Sequence, residues 1–362
     1  VLPDFPWDSL APYVAMARAH EGGVVDLSVG TPVDDVPAVV QAALAATTNT
    51  PGYPATYGTL ALREAAAGWL RRRHAVTGAD PANVLPIIGA KEFVAWLPTL
   101  LGLGAGDTVG IPALAYPTYD VGARLAGAAP VVVEGTATTA PLAMLWINSP
   151  ANPHGQILGV DQLREIVEWA RDRGTIVVSD ECYLEFGWSG EAPALSILHP
   201  SVCGSSHAGL IAVHSLSKRS NLAGYRAGFV TGDPSLVAEL LEVRKHAGMI
   251  VPAPVQAAMV AALDDDAHVE DQRARYLARR AIVLPALASA GFSVEHSQGG
   301  LYLWATRDEE CWVSIEWLAR LGILAGPGIF YGEAGRRHVR IALTATDERV
   351  TAAAHRLTEA GA

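Results

Sequence analysis

Charge is scarce in this chain of 362 residues, in which Asp, Glu, Lys and Arg together make up 17%, against roughly a quarter in ordinary soluble domains. Cysteine is scarcer. Cys182, Cys203 and Cys311 are an odd number, scattered and without CxxC spacing, which argues against a disulfide framework or a zinc site and suits the reducing cytoplasm. Clean apolar runs are also missing. The longest stretch without a charged side chain, Gly135 to Val160, contains Pro141, Pro150, Pro153, Asn148, Asn152 and His154, which would break or strand a membrane-spanning helix. There is no basic excess: 26 Lys and Arg face 37 Asp and Glu, for a net charge of −11. Such a surface repels phosphate backbones and anionic lipid, so neither nucleic acid nor a membrane is an expected partner. Val1 to Trp7 carry neither the basic cluster nor the apolar core of a signal peptide. A G-x-G-x-x-G fingerprint and a Walker loop are likewise absent.

Apolar residues are plentiful, at 50%. That excludes disorder, because burial can offset chain entropy, and leaves apolar surface to cover against a partner subunit. The length fits one large α/β domain or two domains sharing a cleft. No repeat or linker divides the chain. Val36 to Ala46, Leu60 to Arg73, Lys91 to Leu101, Tyr119 to Ala126 and Asp161 to Arg173 read as helices. Between them lie strand-like runs: Val84 to Ile88, Thr108 to Pro112, Pro130 to Glu134, Ala143 to Asn148, Thr175 to Asp180 and Leu210 to Ser215. The alternation predicts a mostly parallel sheet covered by helices on both faces. After Pro254 the texture changes. One long helix is predicted from Val255 to Ala290, followed by strands at Phe292 to Glu295, Gly300 to Ala305, Ile323 to Ala325 and His338 to Leu343 and a closing helix, which implies a smaller α+β unit.

Ligands of open parallel sheets bind beyond the carboxyl ends of the strands. Polar clusters stand at four such ends: Gly89-Ala90-Lys91, Asn148 to Gly155, Asp180 to Tyr183, and His214 to Lys218. Any one of them could be an ordinary turn. No set of residues has metal-ligand spacing.

The segment Ser215-Leu-Ser-Lys218-Arg-Ser-Asn-Leu-Ala-Gly-Tyr-Arg226-Ala-Gly resembles the cofactor-lysine signature of the fold-type I pyridoxal-phosphate enzymes, and among them the class I/II aminotransferases. Asn152-Pro153 and Asp180-x-x-Tyr183 stand upstream in that family's order, and the resemblance runs from about Asp26 to Arg340. It implies a large domain at 31–255 holding a mostly parallel, seven-stranded type of sheet. A small C-terminal domain would occupy 256–362, joined by an N-terminal arm at 1–30. It also implies pyridoxal 5'-phosphate as cofactor. Lys218 would bond covalently to the cofactor aldehyde and later carry a proton from the substrate Cα, which needs a lysine able to lose its own proton. Asp180 would pair with the ring nitrogen and keep the ring an electron sink. Asn152 and Tyr183 would hydrogen-bond the ring oxygen, and Tyr116 would stack on the ring. The phosphate would be held by the backbone N–H groups of Ala90 and Lys91 at a helix start, by Ser215 and by the guanidinium fork of Arg226. Tyr53, or Tyr57 four residues on, would reach the phosphate of a neighbouring subunit, which implies a homodimer with shared sites. Arg340 would grip the substrate α-carboxylate, with Gly30 against the same group because glycine permits close approach.

The substrates implied are an amino donor and a 2-oxo acid. Leu2 to Asp8, Val29 to Asp34 and Arg244 to Gln256 are similar to actinobacterial N-succinyldiaminopimelate aminotransferases, which exchange an amino group between glutamate and a succinylated keto-pimelate in lysine synthesis. Aspartate, aromatic and LL-diaminopimelate aminotransferases, a lyase sharing the cofactor, and a non-catalytic cofactor-binding sensor are the alternatives. His154 departs from the threonine usual in the family's Asn-Pro-x-Gly turn, and Ala151 from a common asparagine.

Overall fold

The computed structural model describes residues 2–188 and 194–361, so Val1 of the amino-terminal stretch lies outside the described residues. Its largest sheet has seven strands. In spatial order they are Val84–Ile88, Ala227–Gly232, Leu210–Ser215, Ile176–Asp180, Met144–Asn148, Thr108–Ile111 and Ala129–Val132. Only Ala227–Gly232 runs against its neighbours. The strands are short apolar runs because both faces are covered. Trp146, Val178, Ile211, Val213 and Val230 face one core, while Leu145, Ile147, Val177, Ala212 and Phe229 face the other. This is the mostly parallel α/β sheet that the alternation of patterns predicted.

A second sheet, of four antiparallel strands, runs Gly326–Pro327, Val339–Ala342, Tyr302–Thr306 and Ser293–Glu295. Beside it, Val25–Asp26 pairs in parallel with Ile323–Leu324, so the amino-terminal segment is tied to the carboxyl-terminal third of the chain. The core here gathers Leu27, Phe186, Leu303, Ile315 and Ile341.

The single helix predicted from Val255 to Ala290 is two helices, Ala253–Asp264 and Ala267–Ser289. Three consecutive aspartates break it. Asp265 leaves helical geometry, at φ −106° and ψ 110°, and its carboxylate accepts the Ala267 N–H at 2.9 Å. Short carboxylate side chains compete in this way for main-chain donors. The break has an architectural consequence: Ala258, Met259 and Leu263 pack into the core of the seven-stranded sheet, whereas Tyr276, Val283 and Leu287 pack into the other core. Helices at Ala11–Arg18, Pro234–Ala247 and Cys311–Arg320 complete the fold and were not among the predicted elements. Among the described residues no helix is long and apolar enough to cross a membrane.

Candidate active site

Three neighbouring parallel strands end together at Asn148, Asp180 and Ser215, with Asn148 beside Asp180 in register and Asp180 beside Val213. Asn148 shapes the loop that follows it. Its Nδ2 donates to the carbonyls of Asp180, at 2.8 Å, and Pro150, at 3.2 Å, while its Oδ1 accepts the Asn152 N–H at 2.7 Å. This folds the loop back and fixes Asn152.

Asp180 is buried, and its carboxylate accepts from the Tyr119 hydroxyl at 2.7 Å and the Cys182 N–H at 3.2 Å. Both donors are neutral, and among the described residues no cationic side chain pairs with it. Burial pushes its pKa up, and the hydrogen bonds from Cys182 and Tyr119 pull it only partly back. A buried carboxyl group without a counterion is suited to a ligand that brings a protonated nitrogen.

Lys218 lies in the short helix Leu216–Arg219, which Ser215 caps by accepting the Ser217 N–H at 3.1 Å. Its ammonium donates to the Gly30 carbonyl, 188 residues away in sequence. Burial lowers its pKa; Tyr302 opposes that shift and Arg340 adds to it. A lysine so placed releases its proton more readily than one in water, as a nucleophilic amine must.

Arg340 enters from the second sheet, on Val339–Ala342. Its Nη1 donates to Asn152 Oδ1 at 2.9 Å and its Nη2 to the Ser28 carbonyl at 2.7 Å. The guanidinium lies 3.9 Å from the centre of the Tyr302 ring and 4.9 Å from that of Tyr331. It is 4% exposed, and its Nε has no partner among the described residues. The Tyr302 hydroxyl is 3.0 Å from that of Tyr183.

On the far side of this cluster Gly89, at φ +77°, opens the helix Ala90–Leu100. The Arg226 guanidinium lies so close to Gly89 that any Cβ there would collide with it. The backbone N–H groups at Ala90 and Lys91, at a helix start, together with an arginine fork, form an anion cradle. Ser215 ends Leu210–Ser215, separated from the strand before Gly89 by Ala227–Gly232, and is paired with Gly228. Tyr116 packs edge-on against Tyr119, with ring centres 5.8 Å apart, and burial raises its pKa to about 12.

Not every candidate converges here. Tyr53 is fully exposed, and Tyr57 is half-exposed beneath Arg63. The Lys91 side chain is turned outward, its ammonium 5.5 Å from the Phe5 ring, so only its main chain belongs to the cradle.

The family model for "Aminotransferase class I and II" matches residues 22–357. The chain belongs to the class I and II aminotransferases. A protein of Mycobacterium tuberculosis named "Probable aminotransferase" is 64% identical over 99% of this chain and 85% of its own. The Streptomyces rimosus 4-dedimethylamino-4-oxo-anhydrotetracycline transaminase is 62% identical over 99% of both chains. The LL-diaminopimelate aminotransferase of Gloeobacter violaceus is 34% identical over 96% of this chain and 93% of its own. Among solved structures, an aminotransferase of Neisseria meningitidis superposes with a TM-score of 0.89 at 30% identity, covering 99% of this chain and 98% of that one.

Class I and II aminotransferases of this fold depend on pyridoxal 5'-phosphate. The residues present fit that group: a buried carboxyl group without a counterion for its ring nitrogen, a lysine with a depressed pKa for its aldehyde, and an anion cradle for its phosphate.

Several participants were not legible as such. Tyr119 had been read only as the start of a helix, yet it holds Asp180. Ser28 contributes a carbonyl oxygen, which no side-chain pattern reveals. Tyr302 reads as one more buried aromatic on a strand. The only signal for it was its place in Gly300-Leu-Tyr-Leu-Trp-Ala, a segment whose neighbouring positions are apolar.

Proposed function

We infer that this aminotransferase moves the amino group of N-succinyl-LL-2,6-diaminopimelate to 2-oxoglutarate, giving glutamate and the succinylated keto-pimelate, and back again, by way of the bound cofactor. The observation that carries the reaction class is the convergence of Lys218, Asp180, Asn152 and Arg340 from four chain segments. When bound, pyridoxal 5'-phosphate supplies an aldehyde that captures the amino group and a ring that takes up charge from the substrate Cα. Lys218 carries the proton at that Cα. Asp180 holds the ring nitrogen protonated, Tyr183 and Asn152 contact the ring oxygen, and Tyr116 covers the ring face. Ala90, Lys91, Ser215 and Arg226 hold the phosphate. Arg340, with Gly30 beside it, takes the donor's carboxylate in a two-armed pair.

The succinylated substrate is supported by the stretches Leu2 to Asp8, Val29 to Asp34 and Arg244 to Gln256, and by diaminopimelate-specific relatives at about a third identity across nearly the whole chain. A second reading, a bulky polycyclic ketone as amino acceptor, is favoured by the 62% identity to the tetracycline-pathway transaminase. The exposed Tyr53 supports a homodimer in which it reaches the partner's phosphate, with Tyr57 as the alternative. The three free cysteines suit a cytoplasmic enzyme. We place the large domain at 31–255 and the small carboxyl-terminal domain at 256–362, with the amino-terminal arm at 1–30.

The test is the visible spectrum of the cofactor-loaded protein before and after adding either donor alone. Conversion of the cofactor's absorption by both glutamate and N-succinyl-LL-diaminopimelate is the expected result. Conversion by glutamate alone removes the succinylated substrate. If no cofactor band forms, the assignment of Lys218 is wrong.

A further inference from the structure

Tyr302 is the buried polar group at the centre of the site to which the reaction just described gives no task. Its phenol touches both halves of the machinery. The ring lies under the Arg340 guanidinium, 3.9 Å from carbon to centroid, and the hydroxyl is 3.0 Å from the Tyr183 hydroxyl. It is also wedged against Gly30, where any Cβ would collide with its hydroxyl, and Gly30 is the residue whose carbonyl Lys218 holds. Arg340 and Lys218 are the cations that face it; Tyr183 and Cys182 are neutral neighbours.

The two phenols in this hydrogen bond are not equivalent. Burial alone would raise both pKa values. For Tyr302 the pull of Arg340 and then Lys218 outweighs burial and lowers it, whereas Tyr183 is pushed well above its ordinary value by burial and by Tyr302 itself. Between two hydroxyls the stronger acid is the better donor and the weaker acid the better acceptor. Tyr183 has one hydroxyl proton, and its assigned task turns that proton to the ring oxygen, so the hydroxyl left to donate across the 3.0 Å contact is that of Tyr302, in agreement with the opposite directions of the two pKa shifts.

We propose that Tyr302 is a positioning residue joining the two halves of the site: its hydroxyl donates to Tyr183, leaving Tyr183's proton for the cofactor's ring oxygen, while its ring face seats Arg340 for the amino acid's carboxylate. This rests on the roles given above to Tyr183 and Arg340. A chain of two hydrogen bonds strengthens each member, so removing the first weakens the second. The seat is a cation–π contact in a desolvated place, where such contacts are strongest.

The experiment compares cofactor-loaded wild type, Tyr302→Phe and Tyr302→Leu by two readouts that do not depend on turnover. The first is the pH at which the visible absorption of the lysine–cofactor linkage titrates. The second is the calorimetric affinity for succinate, a dicarboxylate with no amino group to transfer. In Tyr302→Phe the titration moves up by about 0.5–1 pH unit, because a weaker donor faces the ring oxygen, and succinate affinity stays within about twofold because the ring remains. Tyr302→Leu shows the same rise and binds succinate about tenfold more weakly. A phenylalanine variant that titrates as the wild type overturns the hydroxyl's role. A leucine variant that binds succinate as the wild type overturns the seat, and Tyr302→Met decides that point if the leucine variant does not fold. Should the wild type show no titrating band, it is the reading of Lys218 that fails, and succinate binding still reports on Tyr302 and Arg340.

Discussion

Replacing Arg340 by lysine removes one arm of a two-armed contact and leaves the charge in place. Those arms hold Asn152 Oδ1 at 2.9 Å and the Ser28 carbonyl at 2.7 Å, and both acceptors are buried. An amino acid's carboxylate would engage the same fork. A lysine ammonium is a point charge and cannot reproduce the planar pair. Losing one hydrogen bond to a charged group costs about 1.5–3 kcal/mol, which is roughly a 10- to 150-fold rise in the Michaelis constant for glutamate. The substitution also strands one buried acceptor, at about 1–3 kcal/mol of folding stability. Cofactor uptake should not change, because no cofactor contact assigned above involves Arg340. Steady-state kinetics with glutamate, a cofactor titration and a urea unfolding curve separate the three effects. A glutamate Michaelis constant within about twofold of the wild type would refute the carboxylate assignment. Loss of cofactor as the only defect would show that the arginine serves the other end of the site.

Two further outcomes concern groups that the reaction does not use. Burial raises the Glu181 pKa to about 7, with the Ile197 N–H at 2.7 Å pulling the other way and His214 Nε2 3.7 Å from the second oxygen. At Glu181 the folded protein thus keeps a proton that the unfolded chain releases, so the contribution of this residue to stability falls as pH rises from about 4.5 to about 7; Glu181→Gln should be the more stable protein at pH ~8 and no more stable than the wild type near pH ~4, and a stability difference between the two that does not change across that range would sink the argument. Asp34 behaves oppositely: burial raises its pKa, but hydrogen bonds from Arg279 and Gln272 bring it below its ordinary value. Its contribution is therefore present above the ordinary carboxylate range and lost as pH falls below it. Asp34→Asn should cost roughly 3 kcal/mol at neutral pH, since Arg279 is left buried with only Asp347, and the deficit should shrink at pH ~3; a deficit that does not change with pH would remove the ion pair as its cause.

Legibility followed the range over which each feature is determined. The alternation of apolar runs, set by residues two to four apart, revealed the six mutually parallel strands of the large sheet to within a residue or two, because a strand buried on both faces must be continuously apolar, but it missed the antiparallel strand Ala227–Gly232. Polar residues at strand ends then marked Asn152, Asp180 and Lys218, since a short strand leaves its next residue at the sheet's edge. The long helix failed because its periodicity continues through Asp264, Asp265 and Asp266, and the decisive competition there is between carboxylates and main-chain donors rather than between faces. Ser28, Tyr119 and Tyr302 stayed hidden for a different reason. Each acts through a contact whose partner lies distant in sequence: Ser28 with Arg340, Tyr119 with Asp180, and Tyr302 with Tyr183.

Sequence distance also separates the residues proposed to grip the carboxylate and to carry the proton, which belong to different sheets. Lys218 stands at the edge of the seven-stranded sheet and Arg340 in the four-stranded one, and the segment from Ser28 to Gly30 touches both, giving one carbonyl to each. The amino-terminal segment is in turn anchored by Asp34 to Arg279 and through Gln272 to Asn221, three residues after Lys218. The main-chain oxygens of Ser28 and Gly30 thus link Arg340 and Lys218 across the two sheets, and a Cβ at Gly30 would have to displace the Tyr302 phenol.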